Sequence, residues 1–85
     1  MMATISWSKG GEATVIALKE GAITLRSSVP SPPGSRIEGE LAGGGVVKVK
    51  IHGSRIQSDG SFVLEGRPID MTRELRERIE AMIPR

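Results

Sequence analysis

Apolar and polar residues alternate along most of this chain, and the alternation is interrupted at short intervals by turn-forming residues. The interruptions are Ser8-Lys9-Gly10-Gly11, Lys19-Glu20-Gly21, Val29 to Gly34, Ala42 to Gly45, and Ser58-Asp59-Gly60-Ser61. Glycine supplies the positive φ that tight turns need, and Asp-Gly favours a hairpin. Between these turns lie six extended segments, at about residues 3–7, 12–18, 21–27, 35–41, 46–57 and 61–69. Short strands at this spacing predict an antiparallel sandwich or barrel. In the fourth segment Ile37, Gly39 and Leu41 alternate with Arg36, Glu38 and Glu40, so one face is core and the other is wet. In the fifth, Val47, Val49 and Ile51 alternate with Lys48, Lys50 and His52, and then Ile56 falls out of step. Gly53 lies at the phase change, where a bulge or bend is expected.

The last segment changes period. Met71, Leu75, Ile79 and Met82–Ile83 recur at helical spacing over about residues 71–83. Asp70 is the expected N-cap and Pro84 the expected stop. Arg73–Glu77, Glu74–Arg78 and Arg76–Glu80 are spaced i to i+4. The apolar stripe of this helix is expected to cover the mouth or one face of the sheet. The fold class is therefore all-β with one C-terminal helix: a six-stranded antiparallel β-barrel forming a single domain over residues 1–85.

Composition narrows the function. The chain has 85 residues, enough for one domain, and no cysteine, so neither disulfides nor thiolate metal ligands contribute. No apolar run approaches the roughly 20 residues of a membrane span, and no basic-then-apolar leader opens the chain. A cytoplasmic protein is expected. The pI of about 9.5 suggests a nucleic-acid binder. The net charge of only +2, from twelve basic and ten acidic residues, argues against one. Barrels that bind nucleic acid stack bases on several aromatic rings, whereas this chain offers only Trp7 and Phe62.

Candidate chemistry is sparse. His52, the single histidine, shares an outward phase with Lys48 and Lys50 and lacks companions for a metal site or a catalytic triad. Glu38 and Glu40 read as wet positions beside Ile37 and Leu41 rather than as paired catalytic carboxylates. Gly43-Gly44-Gly45 precedes a strand, not a helix, and no P-loop lysine follows it. No catalytic residue, metal or cofactor is assigned, and a binding module rather than an enzyme is expected.

Three blocks resemble one bacterial family. Ala17-Leu18-Lys19-Glu20-Gly21-Ala22-Ile23-Thr24-Leu25-Arg26 is similar to the strand–turn–strand around the Asp-x-Ser-x-x-Gly motif of PilZ domains. Pro32-Pro33-Gly34-Ser35-Arg36-Ile37 resembles the family's Pro-Gly turn and next strand, and Val47 to Arg55, Phe62 to Ile69 and the helix resemble its last hairpin and lid. The resemblance covers roughly three quarters of the chain and implies a six-stranded barrel with a C-terminal helix. PilZ domains that bind cyclic di-GMP grip its phosphates and guanines with an Arg-x-x-x-Arg segment ahead of the barrel. Here the first arginine is Arg26, and the motif's Asp, Ser and Gly are replaced by Ala17, Lys19 and Ala22.

The resemblance thus implies a degenerate PilZ-like adaptor in bacterial signalling or motility. It would bind a protein partner and not cyclic di-GMP in the usual way. The candidate partner surfaces are Trp7, with core and contact both open for it, and the face bearing Lys48, Lys50 and His52. A second reading keeps ligand binding, with Arg26, Arg36, Arg55 and Arg67 forming a non-standard site for a cyclic dinucleotide or other anion. A third is a small nucleic-acid-binding barrel.

Overall fold

The structure, a computed structural model, describes residues 2–83. Six strands form: β1 (Thr4–Trp7), β2 (Glu12–Lys19), β3 (Ala22–Ser27), β4 (Arg36–Leu41), β5 (Val46–Ile56) and β6 (Phe62–Ile69). One helix follows, α1 (Arg73–Met82). Every neighbouring strand pair is antiparallel, and the order β1-β2-β3-β6-β5-β4 returns to β1 to close a barrel. The expected fold is the one formed. Four neighbours are joined by hairpins. The two remaining seams, β1–β4 and β3–β6, are made by long-range pairs such as Ile5 opposite Leu41 and Ile23 opposite Gly66.

The inward positions are the predicted ones on β4 and on the first half of β5: Ile37, Gly39, Leu41, Val47, Val49 and Ile51 are buried, while Arg36, Glu38, Glu40, Lys48, Lys50 and His52 are exposed. The phase break has a clear cause. Ile51 faces Gly66 and Gly53 faces Glu65, so His52 is an extra residue in a bulge. Beyond it Ser54 pairs with Leu64 and Ile56 with Phe62, but Ser54 is only half-buried and Ile56 is 71% exposed, so the core ends at the bulge on this strand. A second irregularity was not anticipated. Val15 faces Leu25 and Ala17 faces Thr24, which leaves Ile16 unpaired and turned outward, 41% exposed. The inward phase of β2 accordingly shifts from Ala13 and Val15 to Leu18.

The two ends of the barrel are closed differently. At one end α1 lays Leu75 and Ile79 into the core. A Cβ on Gly45, in the β4–β5 turn, would stand 2.9 Å from Leu75 Cδ1, so the lid seats directly on that turn. Arg78 donates to the Gly43 carbonyl at 3.3 Å. At the other end Trp7, Val29 and Phe62 join the core. The Pro-rich connection is tied down there, Gly34 N donating to Ile51 O at 2.7 Å and Ile51 N to Ser35 O at 2.8 Å. Ser35 Oγ spends its one proton on Pro32 O, so the buried Ser31 hydroxyl is the donor in the 2.7 Å bond between the two serines.

The helix start differs from expectation. Thr72, not Asp70, is the N-cap: its Oγ1 accepts from Leu75 N at 3.1 Å. Asp70 instead takes a left-handed backbone (φ 51) that turns the chain out of β6, a conformation aspartate tolerates better than most residues. The helix therefore begins at Arg73. Its end at Met82 is followed by an extended Ile83; the expected stop, Pro84, lies outside the described residues. Of the three expected i to i+4 pairs only Arg73–Glu77 closes among the described residues, at 3.4 Å with both side chains largely exposed. Thr72→Ala is expected to lower stability by about 1 kcal/mol, as cap losses do, and Asp70→Ala to leave α1 helical; thermal melts followed by circular dichroism check both.

In the β5–β6 turn, Asp59 Oδ1 accepts from Ser61 Oγ (2.6 Å) and Ser61 N (2.9 Å). These bonds, helped by the charge of Arg26, hold the carboxyl below its ordinary value of 3.8. A carboxylate lowered on folding stabilises the fold above its unfolded pKa, and that contribution fades as pH falls through the lowered folded value. Asp59→Asn is expected to flatten the acid limb of stability against pH below about 4. Urea midpoints measured between pH 2 and 6 read this out.

Candidate functional site

The hairpin that resembles the family's ligand motif is built by a turn with positive φ at both central residues, Glu20 (49°) and Gly21 (79°), as a type I′ turn requires. It places Lys19 opposite Ala22 and Ala17 opposite Thr24. Ala17 follows directly on the Ile16 bulge and is half-buried, and Lys19 and Ala22 are exposed. The three motif positions present two methyls and one ammonium. A methyl neither accepts nor donates a hydrogen bond, so nothing at Ala17 or Ala22 can read a base edge. Arg26, the first arginine of the chain, lies at the far end of β3, about 13 Å along the strand from Ala22.

The outer face of β4–β5–β6 carries the remaining candidates. Lys48, Lys50 and His52 are all exposed there. Register places them in rows running across the strands. In one row Glu38 faces Lys48, which faces Ile69 on its other side. In the next, Arg36 faces Lys50, and Lys50 faces Arg67. The four arginines therefore do not converge. Arg36 and Arg67 flank Lys50, while Arg26 and Arg55 flank Val63 in a separate row nearer the β5–β6 turn. Arg55 also meets Glu65 at 3.8 Å, a loose exposed pair worth little, and Arg26 faces the charge of Asp59.

Trp7 is withdrawn from the contact surface. It is 4% exposed, packs in the core, and donates from Nε1 to Ser27 Oγ at 2.9 Å. Its apolar ring fills the open barrel end and its one donor is satisfied inside. A signal for this lies in the sequence: Ala3, Ile5 and Trp7 share one phase, and all three are buried.

Two shallow hollows border the cationic row. One, of about 320 Å³, is lined by Arg36, Glu38, Lys48, Ile69 and others, and a second, of about 360 Å³, by Glu20, Arg67, Asp70 and Arg76 among others. Both are open and mix the two signs of charge. Among the described residues no three His, Asp or Glu side chains gather as a metal site requires, and no helix is long and apolar enough to cross a membrane. No family model, curated protein or solved structure matches the chain.

Proposed function

We propose that this protein is a degenerate PilZ-like module that works as an adaptor, docking a protein partner in a bacterial signalling or motility system. It does not bind cyclic di-GMP in the family's usual way. One observation carries the reading: the β2–β3 hairpin, which in the resemblance holds the dinucleotide, presents Ala17, Lys19 and Ala22 where the motif has Asp, Ser and Gly. The barrel with its C-terminal helical lid is the architecture that the resemblance implies, and it supports the reading without being specific to it. A nucleic-acid role is disfavoured because Trp7 is spent in the core, so no aromatic platform faces out from that position.

Two experiments test the proposal. Isothermal titration with cyclic di-GMP is expected to show no saturable heat in the micromolar range, and affinity purification from the native cell to recover a protein in stoichiometric amount. Saturable micromolar binding, or recovery of nucleic acid or nucleotide in place of a protein, overturns it.

A further inference from the structure

On the outer face of the barrel three cations stand side by side on three adjacent strands. Arg36 on β4 faces Lys50 on β5, and Lys50 faces Arg67 on β6. All three are exposed, and among the described residues none has a carboxylate within salt-bridge distance. The nearest acids along the strands are otherwise placed: Glu65 is engaged by Arg55 and Glu38 faces Lys48. Like charges directly opposite one another weaken a sheet, and an anion laid across them relieves the repulsion. The adjoining row sets Lys48 between Glu38 and a half-buried apolar residue, Ile69, and adds no net charge.

The spacing selects the shape of the anion. Neighbouring strands are about 4.8 Å apart, so the row spans roughly 9.6 Å between its outer members. Acidic side chains at positions i, i+4 and i+7 of an α-helix recur at about 6 and 4.5 Å along one face, roughly 10.5 Å in all. In an extended peptide, acids on one face recur at about 6.7 Å and span roughly 13 Å, which overshoots the row. From this match, and resting on the adaptor reading above, we infer that Arg36, Lys50 and Arg67 dock an acidic helix of the partner protein. The helix lies across the strands of the β4–β5–β6 face. Ile69 offers a place for an apolar residue on the same helix, and the three cations set its register.

The test uses the full chain and a designed alanine-based helix with glutamates at i, i+4 and i+7, followed by nitrogen–proton correlation NMR. A peptide of identical composition, with its glutamates at i, i+2 and i+5, serves as the mismatched control. The matched helix is expected to shift the amides of Arg36, Lys50 and Arg67 and to bind about tenfold more tightly than the control, the preference weakening with added salt. Arg36→Glu/Lys50→Glu/Arg67→Glu is expected to abolish that preference. Should the triple variant not fold, Lys50→Gln is expected to reduce it about threefold.

Equal affinity for the two peptides, shifts centred on another face, or tighter binding of oligothymidylate at the same row overturns the inference. The adaptor reading is judged separately. A partner recovered from cells and retained equally by the charge-reversed variant overturns the docking row and leaves the adaptor standing. Failure to recover any protein counts against the adaptor itself.

Discussion

Gly66→Ala is expected to cost about 3 kcal/mol or more of folding stability, a large share of what this small barrel holds. Gly66 is buried in β6 with Ile23 of β3 on one side and Ile51 of β5 on the other. A Cβ there would collide with the Lys50 carbonyl oxygen and stand 2.8 Å from Val49 Cγ1. The backbone of Gly66 is not left-handed, so the requirement is for space rather than for an unusual φ. The Lys50 carbonyl belongs to the strand next to it and cannot retreat without opening the β5–β6 ladder. Overpacking that repacked side chains can absorb costs about 1–3 kcal/mol. A clash with main chain at a barrel seam belongs above that, at about 3 kcal/mol or more. A domain of this size holds roughly 4–13 kcal/mol in total. Urea denaturation followed by circular dichroism measures the loss. Gly53→Ala is the control: its Cβ would meet nothing closer than Glu65 Oε1 at 3.7 Å, and its cost is expected to stay below about 1 kcal/mol.

Trp7→Ala is expected to cost about 3–5 kcal/mol, the range for emptying a large buried aromatic site. The ring closes the barrel end opposite the helix, and deleting it also strips Ser27 of a partner. Ser27 Oγ still donates to Val29 O at 2.7 Å and accepts from Val29 N at 3.2 Å. Trp7→Phe keeps most of the bulk and loses only the indole donor, so a smaller loss of about 1–2 kcal/mol is expected. Trp7 is the single tryptophan of the chain, and its emission is expected to be blue-shifted in the native protein and to move red on unfolding. If the native emission is already that of a solvated indole, the core assignment fails.

Strands and helix were legible because their signals are local. Arg36 to Leu41 alternates without fault, and the phase break between Ile51 and Ile56 marks the bulge that the structure places at His52. The Ile16 bulge escaped notice for an equally local reason. Val15-Ile16-Ala17-Leu18 is apolar throughout, so the slip that turns Ile16 outward leaves no polar residue out of phase to reveal it. Asp70 and Thr72 are both good caps by residue type. The choice between them rests on the left-handed turn at Asp70, which depends on how β6 ends against the barrel. The candidate site was half legible. Periodicity gave the exposure of Lys48 and Lys50, whereas the alignment of Lys50 with Arg36 and Arg67 depends on register across three strands, which no local pattern encodes. The same holds for the four arginines, which only the register separates into two rows.

The two long-range seams have a consequence for how the chain is made. Synthesis delivers β1, β2 and β3 first, at roughly 5–20 residues per second, so roughly two to eight seconds pass before β6 has followed β3 out of the ribosome. Through that interval the nascent chain carries bare hydrogen-bonding groups along β3, since Ile23 awaits Gly66, and for about the first third of it along β1 as well, since Ile5 awaits Leu41. Any product truncated ahead of Phe62 keeps the β3 flank permanently unpaired, and such a fragment is expected to recruit strands from other chains and precipitate.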